Sequence, residues 1–396
     1  MNVDSTNGPI LAPTMPLGGD PLDEIDYQLV KRWIQLGAKN RDDEERFPPK
    51  PKRRKWYVGH YGCDWVTVLD AETRQIMRYI AVGGDPEIRE ALYDVTVSPD
   101  GQHWYASYAV YRTSLDKYST LTDELVASIP LGHSAWDNLS ITQDGSLGFL
   151  ASYTREEVAV LDLQNDQMVG TPQPLGIETL TPTIHPTLNR IYFPAFTQSL
   201  LVIFDYDAQG VLTNRREVDL LQGSPNPFPG ELQPLQIAFA PDGNKYFVSC
   251  WNSHEIRVYD AANDGLIQVI PLPSGAANMA VSPSTGRLFA SCPDDAVTFT
   301  GPHELGSIAV VDIASHQLEG MRYAGYQPYG LVADEVERQL LVAARNELTS
   351  GPSQHHPSSC QGRNGYLTLL DMQTLTVVSG FNPELSVDPI TLSIKY

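Results

Sequence analysis

The sequence predicts an all-β fold, a seven-bladed β-propeller of four-stranded blades closed by its C-terminal strand. The first observation behind this prediction is a repeat in which seven alternating apolar runs, such as VTVLD and VAVLD, each end in an aspartate. Their spacing of roughly 50 residues, together with their strand-like composition, is typical of propeller repeats. The aspartates that end these runs are Asp70, Asp116, Asp162, Asp205, Asp260, Asp312 and Asp371.

The second observation is that each repeat divides into four short strands. A turn such as SPDG (98–101) or APDG (240–243) separates two apolar strands, because Gly takes a positive φ and Asp bonds its own backbone. The aspartate-terminated strand follows, and a short polar turn leads to a last strand such as QIMRYIAV. Four short strands with mostly apolar faces are typical of a propeller blade. We interpret the repeated aspartates as hairpin residues and not as a ring of cation ligands.

The third observation concerns the two ends of the repeat region. The first repeat has only three strands, and the C-terminal segment DPITLSIKY resembles the first strand of the other repeats. This predicts that the last strand completes blade 1 and leaves no open sheet edge. The predicted domains are a propeller over 56–396, a charged, proline-broken linker over 41–55, and an N-terminal loop and helix over 1–40.

Composition and charge argue against several classes of partner. The chain has 396 residues and a formal net charge of −21, which argues against nucleic acid and anionic membranes as partners. No apolar stretch is long enough to span a membrane, and the N-terminal residues show no signal peptide. The four cysteines contain no CxxC pair, so they indicate neither a disulfide-dense scaffold nor a zinc module.

The N-terminal segment does not share the repeat. Ile25, Leu29, Trp33 and Leu36 form a helical stripe of apolar residues, and Gly37 is the expected stop. An isolated helix of this length is marginal in water. We therefore expect its apolar face to pack against the side or the bottom of the propeller.

The repeat resembles the YVTN-type β-propeller family. The resemblance lies in the order of features: an apolar run ending in Asp, a polar turn, a strand followed by Gly, and Pro or Asn opening the next blade. It covers residues 55–396. The resemblance implies the fold but no single activity, because propellers include lactonases, haem and copper enzymes, and binding platforms.

A second resemblance concerns the segment TMPLGGDPLDEIDYQLVKRWIQLGAKN, which is similar to the C-terminal end of a c-type cytochrome domain. This resemblance implies that Met15 is a haem axial ligand and that Trp33 packs against another helix of such a domain. The haem-attachment motif CxxCH is absent from the chain. The resemblance therefore implies haem c only in a longer parent chain, which would be exported to the periplasm or outside the cell.

The top face of the propeller is the face shared by the loops that join strands 2 to 3 and strands 4 to 1. Polar residues begin several of the first strands, which surround the central channel, and small residues follow two positions later where the blades converge. We predict that these polar residues bind a ligand at the channel mouth, with a solvated rim as the alternative. An arginine that follows the second strand of blade 7 joins them. The predicted ligand-binding residues are Asp94, Asn138, Gln236, Asn278 and Arg345.

The long top-face loop 346–365 holds the densest cluster of metal-ligating residue types, His355, His356 and Cys360. Long loops on a rigid scaffold often carry binding residues. A metal or haem contact is one interpretation of this cluster, and a solvated or structural loop is the other. Cys360 could also form a disulfide with Cys63, because blades 1 and 7 are neighbours in the predicted ring.

Catalysis is not indicated by any motif, since the sequence contains no nucleophile elbow, phosphate-binding loop or zinc-protease motif. The main hypothesis is therefore a non-catalytic binding or interaction propeller of an exported cytochrome–propeller protein, with an electron-transfer or scaffold role. Its partner would be a protein or a small ligand on the top face. One alternative is a metal- or haem-dependent redox enzyme that uses top-face His and Cys residues. The other alternative is a lactonase-like hydrolase.

Overall fold

The computed structural model of the protein describes residues 3–4, 8–9, 23–35, 45–85, 88–222, 230–354, 358 and 360–396. Within these residues, seven antiparallel sheets follow one another along the chain as the blades of a propeller. The predicted all-β, seven-bladed fold is thus confirmed. The predicted division into 1–40, 41–55 and 56–396 stays a prediction, although the first propeller strand begins at Lys55.

The described residues before the propeller form β1 (Val3–Asp4), β2 (Gly8–Pro9) and α1 (Glu24–Gln35). The helix begins after Asp23, whose carboxylate accepts a hydrogen bond from the backbone N–H of Asp26 at 2.8 Å. Ile25 and Leu29 are 79% and 66% exposed, so the predicted packing of this face against the propeller is wrong for these two residues. The other two residues of the stripe lie outside the part whose side chains are described. No helix in the described part of the chain has the length and hydropathy to cross a membrane.

Each blade runs from an inner strand at the central channel to an outer strand. Blade 1 contains β31 (Pro389–Lys395), β3 (Lys55–His60), β4 (Trp65–Asp70) and β5 (Gln75–Ala81). Blade 2 contains β6 (Leu92–Val97), β7 (His103–Tyr108), β8 (Ser114–Ser119) and β9 (Leu125–Pro130). Blade 3 contains β10 (Leu139–Ile141), β11 (Leu147–Ser152), β12 (Glu157–Asp162), and an outer strand in two pieces, β13 (Gln167–Met168) and β14 (Gln173–Pro174).

The other four blades follow the same order. Blade 4 contains β15 (Thr183–Ile184), β16 (Arg190–Ala195), β17 (Leu200–Tyr206) and β18 (Leu212–Asp219). Blade 5 contains β19 (Pro234–Phe239), β20 (Lys245–Cys250), β21 (Glu255–Asp260) and β22 (Leu266–Pro271). Blade 6 contains β23 (Met279–Ser282), β24 (Arg287–Cys292), β25 (Ser307–Asp312) and β26 (Leu318–Arg322). Blade 7 contains β27 (Pro328–Asp334), β28 (Gln339–Ala344), β29 (Asn364–Asp371) and β30 (Glu384–Val387).

The ring closes where the C-terminal strand β31 pairs with β3, as the sequence predicts. The two strands are antiparallel over their whole length, from the Lys55–Lys395 pair to the His60–Pro389 pair. Apolar residues of blade 1, such as Trp56, pack in one buried cluster with residues of blade 7, such as Leu341. Each of the seven apolar clusters joins two neighbouring blades in this way. The closing interface is therefore built from the same contacts as the other six.

Except in blade 2, the repeated aspartates lie at the ends of the third strands, at the bottom hairpins; in blade 4 the strand continues for one more residue, to Tyr206. Most of them accept backbone N–H groups of the following turn, as Asp371 does from Thr374 at 2.6 Å. In blade 2 the equivalent position is Ser119, which pairs with His103 and whose hydroxyl accepts the turn amides. Asp116, which the sequence placed in this series, lies three residues earlier and is buried against Arg112 at 2.9 Å. The predicted spacing of the repeat was therefore correct, but the residue predicted to end the third strand of blade 2 was wrong by three positions.

Candidate functional site

The inner strands of the blades converge on a cavity of about 140 Å³ at the top mouth of the central channel. All seven blades contribute residues to the lining, and blade 3 contributes a single one, Asn138. The residues lining the cavity are Tyr93, Asp94, Asn138, Leu180, Thr181, Leu235, Gln236, Ala277, Asn278, Tyr329, Gly330, Leu331, Ile390, Thr391 and Leu392. Four of the five predicted ligand-binding residues therefore lie together at the mouth. They had been selected only because they stand at equivalent positions of the repeat.

Asp94 holds three blades together at the mouth. Its carboxylate accepts hydrogen bonds from the Thr391 hydroxyl of blade 1 at 2.9 Å, the Thr96 hydroxyl at 2.7 Å, and the Leu139 N–H of blade 3 at 3.1 Å. Burial raises the pKa of Asp94, and these hydrogen bonds act in the opposite direction. Both oxygens are thus occupied by neighbouring blades, which makes Asp94 a structural residue of the mouth.

The amide side chains at the mouth are bonded to the following blade through their oxygen atoms. The Gln236 Oε1 atom accepts the backbone N–H of Met279 in blade 6. The Asn138 Oδ1 atom accepts the Thr181 hydroxyl at 3.3 Å, where the next residue is a proline without an N–H. The Asn278 side chain makes no hydrogen bond to the residues that the structure describes. Because the oxygens face the neighbouring blades, the NH₂ groups of Gln236 and Asn138 are the parts left for a ligand.

Asp137 is a buried carboxyl group that the sequence analysis missed; it adjoins the lining residue Asn138 in the chain but does not itself line the cavity. It precedes Asn138 and occupies the strand position that Tyr93 and Tyr329 take in their own blades. Its residue surface is 6% exposed. One carboxylate oxygen, Oδ2, accepts the Tyr153 N–H at 2.6 Å, and Oδ1 has no hydrogen-bond partner in the described part of the chain.

The surroundings of Asp137 shift the pKa of its carboxyl group to near neutral pH. Burial raises the pKa of Asp137 to about 7, and the single hydrogen bond from the Tyr153 amide lowers it only in part. A carboxyl group with this pKa is able both to accept and to release a proton near pH 7. One sequence signal could have found it: the other six blades have Tyr, Leu, Ala or Ile at this position, and an acid stands out among them.

Arg345, the fifth predicted ligand-binding residue, does not line the cavity but packs against the lining residue Tyr329. Its guanidinium lies over the Tyr329 ring, 4.9 Å from the ring centroid. It forms a forked pair with Asp388, with contacts of 2.6 and 3.0 Å, and a further ion pair with Glu347 at 2.9 Å. Arg345 therefore positions Tyr329 and carries a charge that two carboxylates already neutralise.

The histidines of the top face do not form a metal centre in the described part of the chain. His60 is fully buried, bonds the Thr67 hydroxyl at 2.8 Å, and has its pKa lowered to about 3 by burial. His133 stacks on Trp136 with 4.6 Å between the ring centroids. No group of three or more potential ligands that could hold a metal ion occurs among the described residues. The predicted metal ligands His355 and His356, and the predicted haem ligand Met15, lie outside those residues.

Cys360 forms a disulfide with Cys63, with the Cα atoms 5.6 Å apart. This is the pairing that the sequence left open as one possibility, and it links the top loops of blades 1 and 7. The Ser386 hydroxyl donates to the Cys63 sulfur at 3.0 Å. A disulfide sulfur is not a thiolate, so Cys360 cannot act as the predicted metal ligand in this state. The remaining cysteines, Cys250 and Cys292, are buried free thiols.

Comparisons with known proteins give a consistent class of relatives. No protein-family model matches the chain. A 6-phosphogluconolactonase of Pectobacterium atrosepticum is 27% identical over 279 residues, which are 65% of this chain and 79% of the relative. A 6-phosphogluconolactonase of Pectobacterium carotovorum subsp. carotovorum is 28% identical over 217 residues, which are 50% of this chain and 62% of the relative.

A solved structure shares the fold of this chain. A periplasmic gluconolactonase of Pseudomonas aeruginosa has a TM-score of 0.64 at 16% identity, over 87% of this chain and 99% of that protein. At this identity the likeness shows the fold alone. The YVTN-type resemblance of the repeat finds no support beyond the propeller fold itself.

The comparisons correct the functional part of the sequence analysis. The predicted non-catalytic binding role is contradicted, because the curated relatives are named as lactone hydrolases. The haem, cytochrome and electron-transfer interpretation of the N-terminal segment is wrong for the same reason. A short loop-and-helix pattern resembled a cytochrome segment although the haem-attachment motif was missing. The lactonase-like alternative is the hypothesis that the comparisons favour.

Proposed function

We propose that the chain is a hydrolase that opens sugar lactones at the mouth of its central channel. The observation that supports this most is Asp137, a buried carboxyl group beside the mouth with a pKa of about 7. The curated relatives that the chain resembles are named for the hydrolysis of a sugar lactone. In this proposal the predicted top-face ligand is a small lactone and not a protein partner.

Asp137 acts first as general base and then as general acid. Its carboxylate accepts a proton from a water molecule, and the water oxygen bonds to the carbonyl carbon of the lactone. The tetrahedral oxyanion then collapses by breaking the bond between that carbon and the ring oxygen. The ring oxygen takes the proton from Asp137, which restores the carboxylate and yields the open-chain hydroxy acid.

The amide groups of the mouth supply the hydrogen bonds that this reaction needs. The NH₂ groups of Asn138 and Gln236 donate to the carbonyl oxygen or to the ring hydroxyls of the lactone. Their oxygen atoms are bonded to the next blade, so the donors are held in place before the substrate arrives. Fixed neutral donors of this kind stabilise a developing oxyanion without reorganising during the reaction.

We further infer that the protein works outside the reducing cytoplasm. The support is the Cys63–Cys360 disulfide, because such bonds persist in oxidising compartments. The structurally similar gluconolactonase is itself named as periplasmic. The support for this location is therefore the disulfide and not a haem domain.

The experiment is a lactone-hydrolysis assay on the purified chain. D-glucono-1,5-lactone is added, and proton release is followed in a pH-stat with the spontaneous rate subtracted. We expect enzymatic turnover that the Asp137→Asn variant loses. Glu156→Gln removes an exposed carboxylate from the same blade and face, and this matched control should retain full activity. Absence of turnover with a panel of sugar 1,4- and 1,5-lactones would refute the proposal.

A further inference from the structure

The charges around the channel mouth identify the class of lactone that the proposed hydrolase accepts. Building on the proposed function, we infer that the substrate is an uncharged sugar lactone and that a phosphorylated sugar lactone is rejected. The relatives are named for a phosphorylated substrate, so this inference separates the chain from them in specificity. It stands on the position and pairing of the charged side chains of the top face.

Carboxylates outnumber basic side chains in the described top-face loops. These loops contain no lysine, and their basic side chains are five arginines together with histidines. The carboxylates are Asp64, Asp85, Glu90, Asp137, Glu156, Glu178, Glu231, Asp294, Asp295, Glu304, Glu347 and Asp388. The arginines are Arg89, Arg112, Arg155, Arg345 and Arg363. A phosphate dianion that approaches this face meets an excess of negative charge.

The arginine that contacts a lining residue of the mouth, Arg345, is already neutralised. Arg345 lies against the lining residue Tyr329, and it bonds Asp388 through a fork and Glu347 through a further ion pair. Burial raises the pKa of Glu347, with the neighbouring Asp388 charge as a second cause, which indicates that negative charge is already crowded here. A phosphate would have to displace one of these carboxylates before it could use Arg345.

The other common devices for binding phosphate are also missing from the mouth as far as its described residues show. Proteins hold phosphate with arginine forks, with lysine, or with the N-terminus of a helix. The described helix, α1, precedes the propeller in sequence and contributes no residue to the lining of the cavity. The polar groups that do line it are amides, hydroxyls and the carboxyl of Asp94. The amides and hydroxyls among them are neutral donors and acceptors that match the hydroxyls and the carbonyl of an uncharged lactone.

The first experiment compares kcat/KM for D-glucono-1,5-lactone and its 6-phosphate. We expect a preference of at least tenfold for the uncharged lactone, and the disfavoured rate should rise with ionic strength as repulsion is screened. Glu347→Gln removes one carboxylate from Arg345 and should raise the relative use of the phosphorylated lactone several-fold. Glu319→Gln, which breaks an ion pair at the bottom of blade 6, is the matched control and should leave the ratio unchanged. Equal use or preference for the phosphorylated lactone would overturn the inference.

A binding measurement separates this inference from the proposed reaction. The probes are D-glucono-1,5-lactam, which cannot be hydrolysed as a lactone, and its 6-phosphate, titrated calorimetrically against the whole chain. Binding of the lactam alone supports the inference even if no lactone is turned over, in which case only the hydrolase proposal fails. Equal or tighter binding of the phosphorylated lactam overturns the inference. Failure of both probes to bind overturns it as well, because the mouth would then not be a sugar-lactone site.

Discussion

Replacing Asp137 with asparagine should greatly slow lactone hydrolysis and stabilise the fold at alkaline pH. The two effects have one cause, the burial that raises the pKa of the carboxyl group to about 7. Asparagine keeps an oxygen that can accept the Tyr153 N–H, but it cannot take a proton from water. We expect kcat/KM to fall by roughly 10² to 10⁴, the usual contribution of a general base.

The size of the stability effect follows from linkage between protonation and folding. A buried acid whose pKa is raised costs stability when it must ionise, so the penalty is absent below the ordinary value of 3.8. The penalty grows as the pH rises towards 7 and is complete above it. The difference between the two pKa values corresponds to about 4 kcal/mol, at about 1.36 kcal/mol per pH unit. For a chain of this length, a gain of about 4 kcal/mol raises the Tm of the variant by about 5 °C at pH 8.

The assays are a pH–rate profile and thermal unfolding at pH 4.5 and pH 8. The wild-type rate should rise through an apparent pKa near 7, with about a tenth of the plateau at pH 6 and about nine-tenths at pH 8. The Tm gain of Asp137→Asn should be present at pH 8 and small at pH 4.5. This reasoning would be wrong if Asp137→Asn were less stable than the wild type at pH 8. It would also be wrong if the variant's rate still rose through an apparent pKa near 7.

Three further predictions concern the fold. Denatured, non-reduced protein should show two titratable thiols, and Cys63→Ser should lower the free energy of unfolding by about 2–5 kcal/mol, because the disulfide closes a long loop. Lys55→Met should destabilise by about 3 kcal/mol in chemical unfolding, since buried Asp123 loses the nearer of its two cations, whose Nζ lies 2.7 Å away, and keeps only Arg78 at 3.6 Å. Deleting residues 389–396 removes β31 and exposes the edge of β3, so light scattering should report aggregation, and a monomeric, folded product would contradict the proposed closure.

Much of the mouth could be predicted because the repeat carries its own register. Asn138, Gln236 and Asn278 stand at the same position of the inner strands of blades 3, 5 and 6, so periodicity alone predicted that they lie in one ring. The register failed in blade 2, where RTSLD matched the pattern although Ser119 takes the hairpin position. A local sequence pattern predicts the strand register reliably where the alternation of apolar residues and the position of the turn residues agree. It fails in blade 2, because Asp116 matches the motif three residues before the true hairpin position.

The sequence by itself determined the number of blades, the closure by the last strand, and the face on which each loop lies. These features depend on alternating apolar residues and turn residues within each repeat, which are short-range properties of the chain. Only the tertiary structure decided that Asp94 ties blades 1, 2 and 3 together, that Asp137 titrates near neutral pH, and that Arg345 is already neutralised. Burial and ion pairing join groups from different blades, and their strength depends on the medium around them.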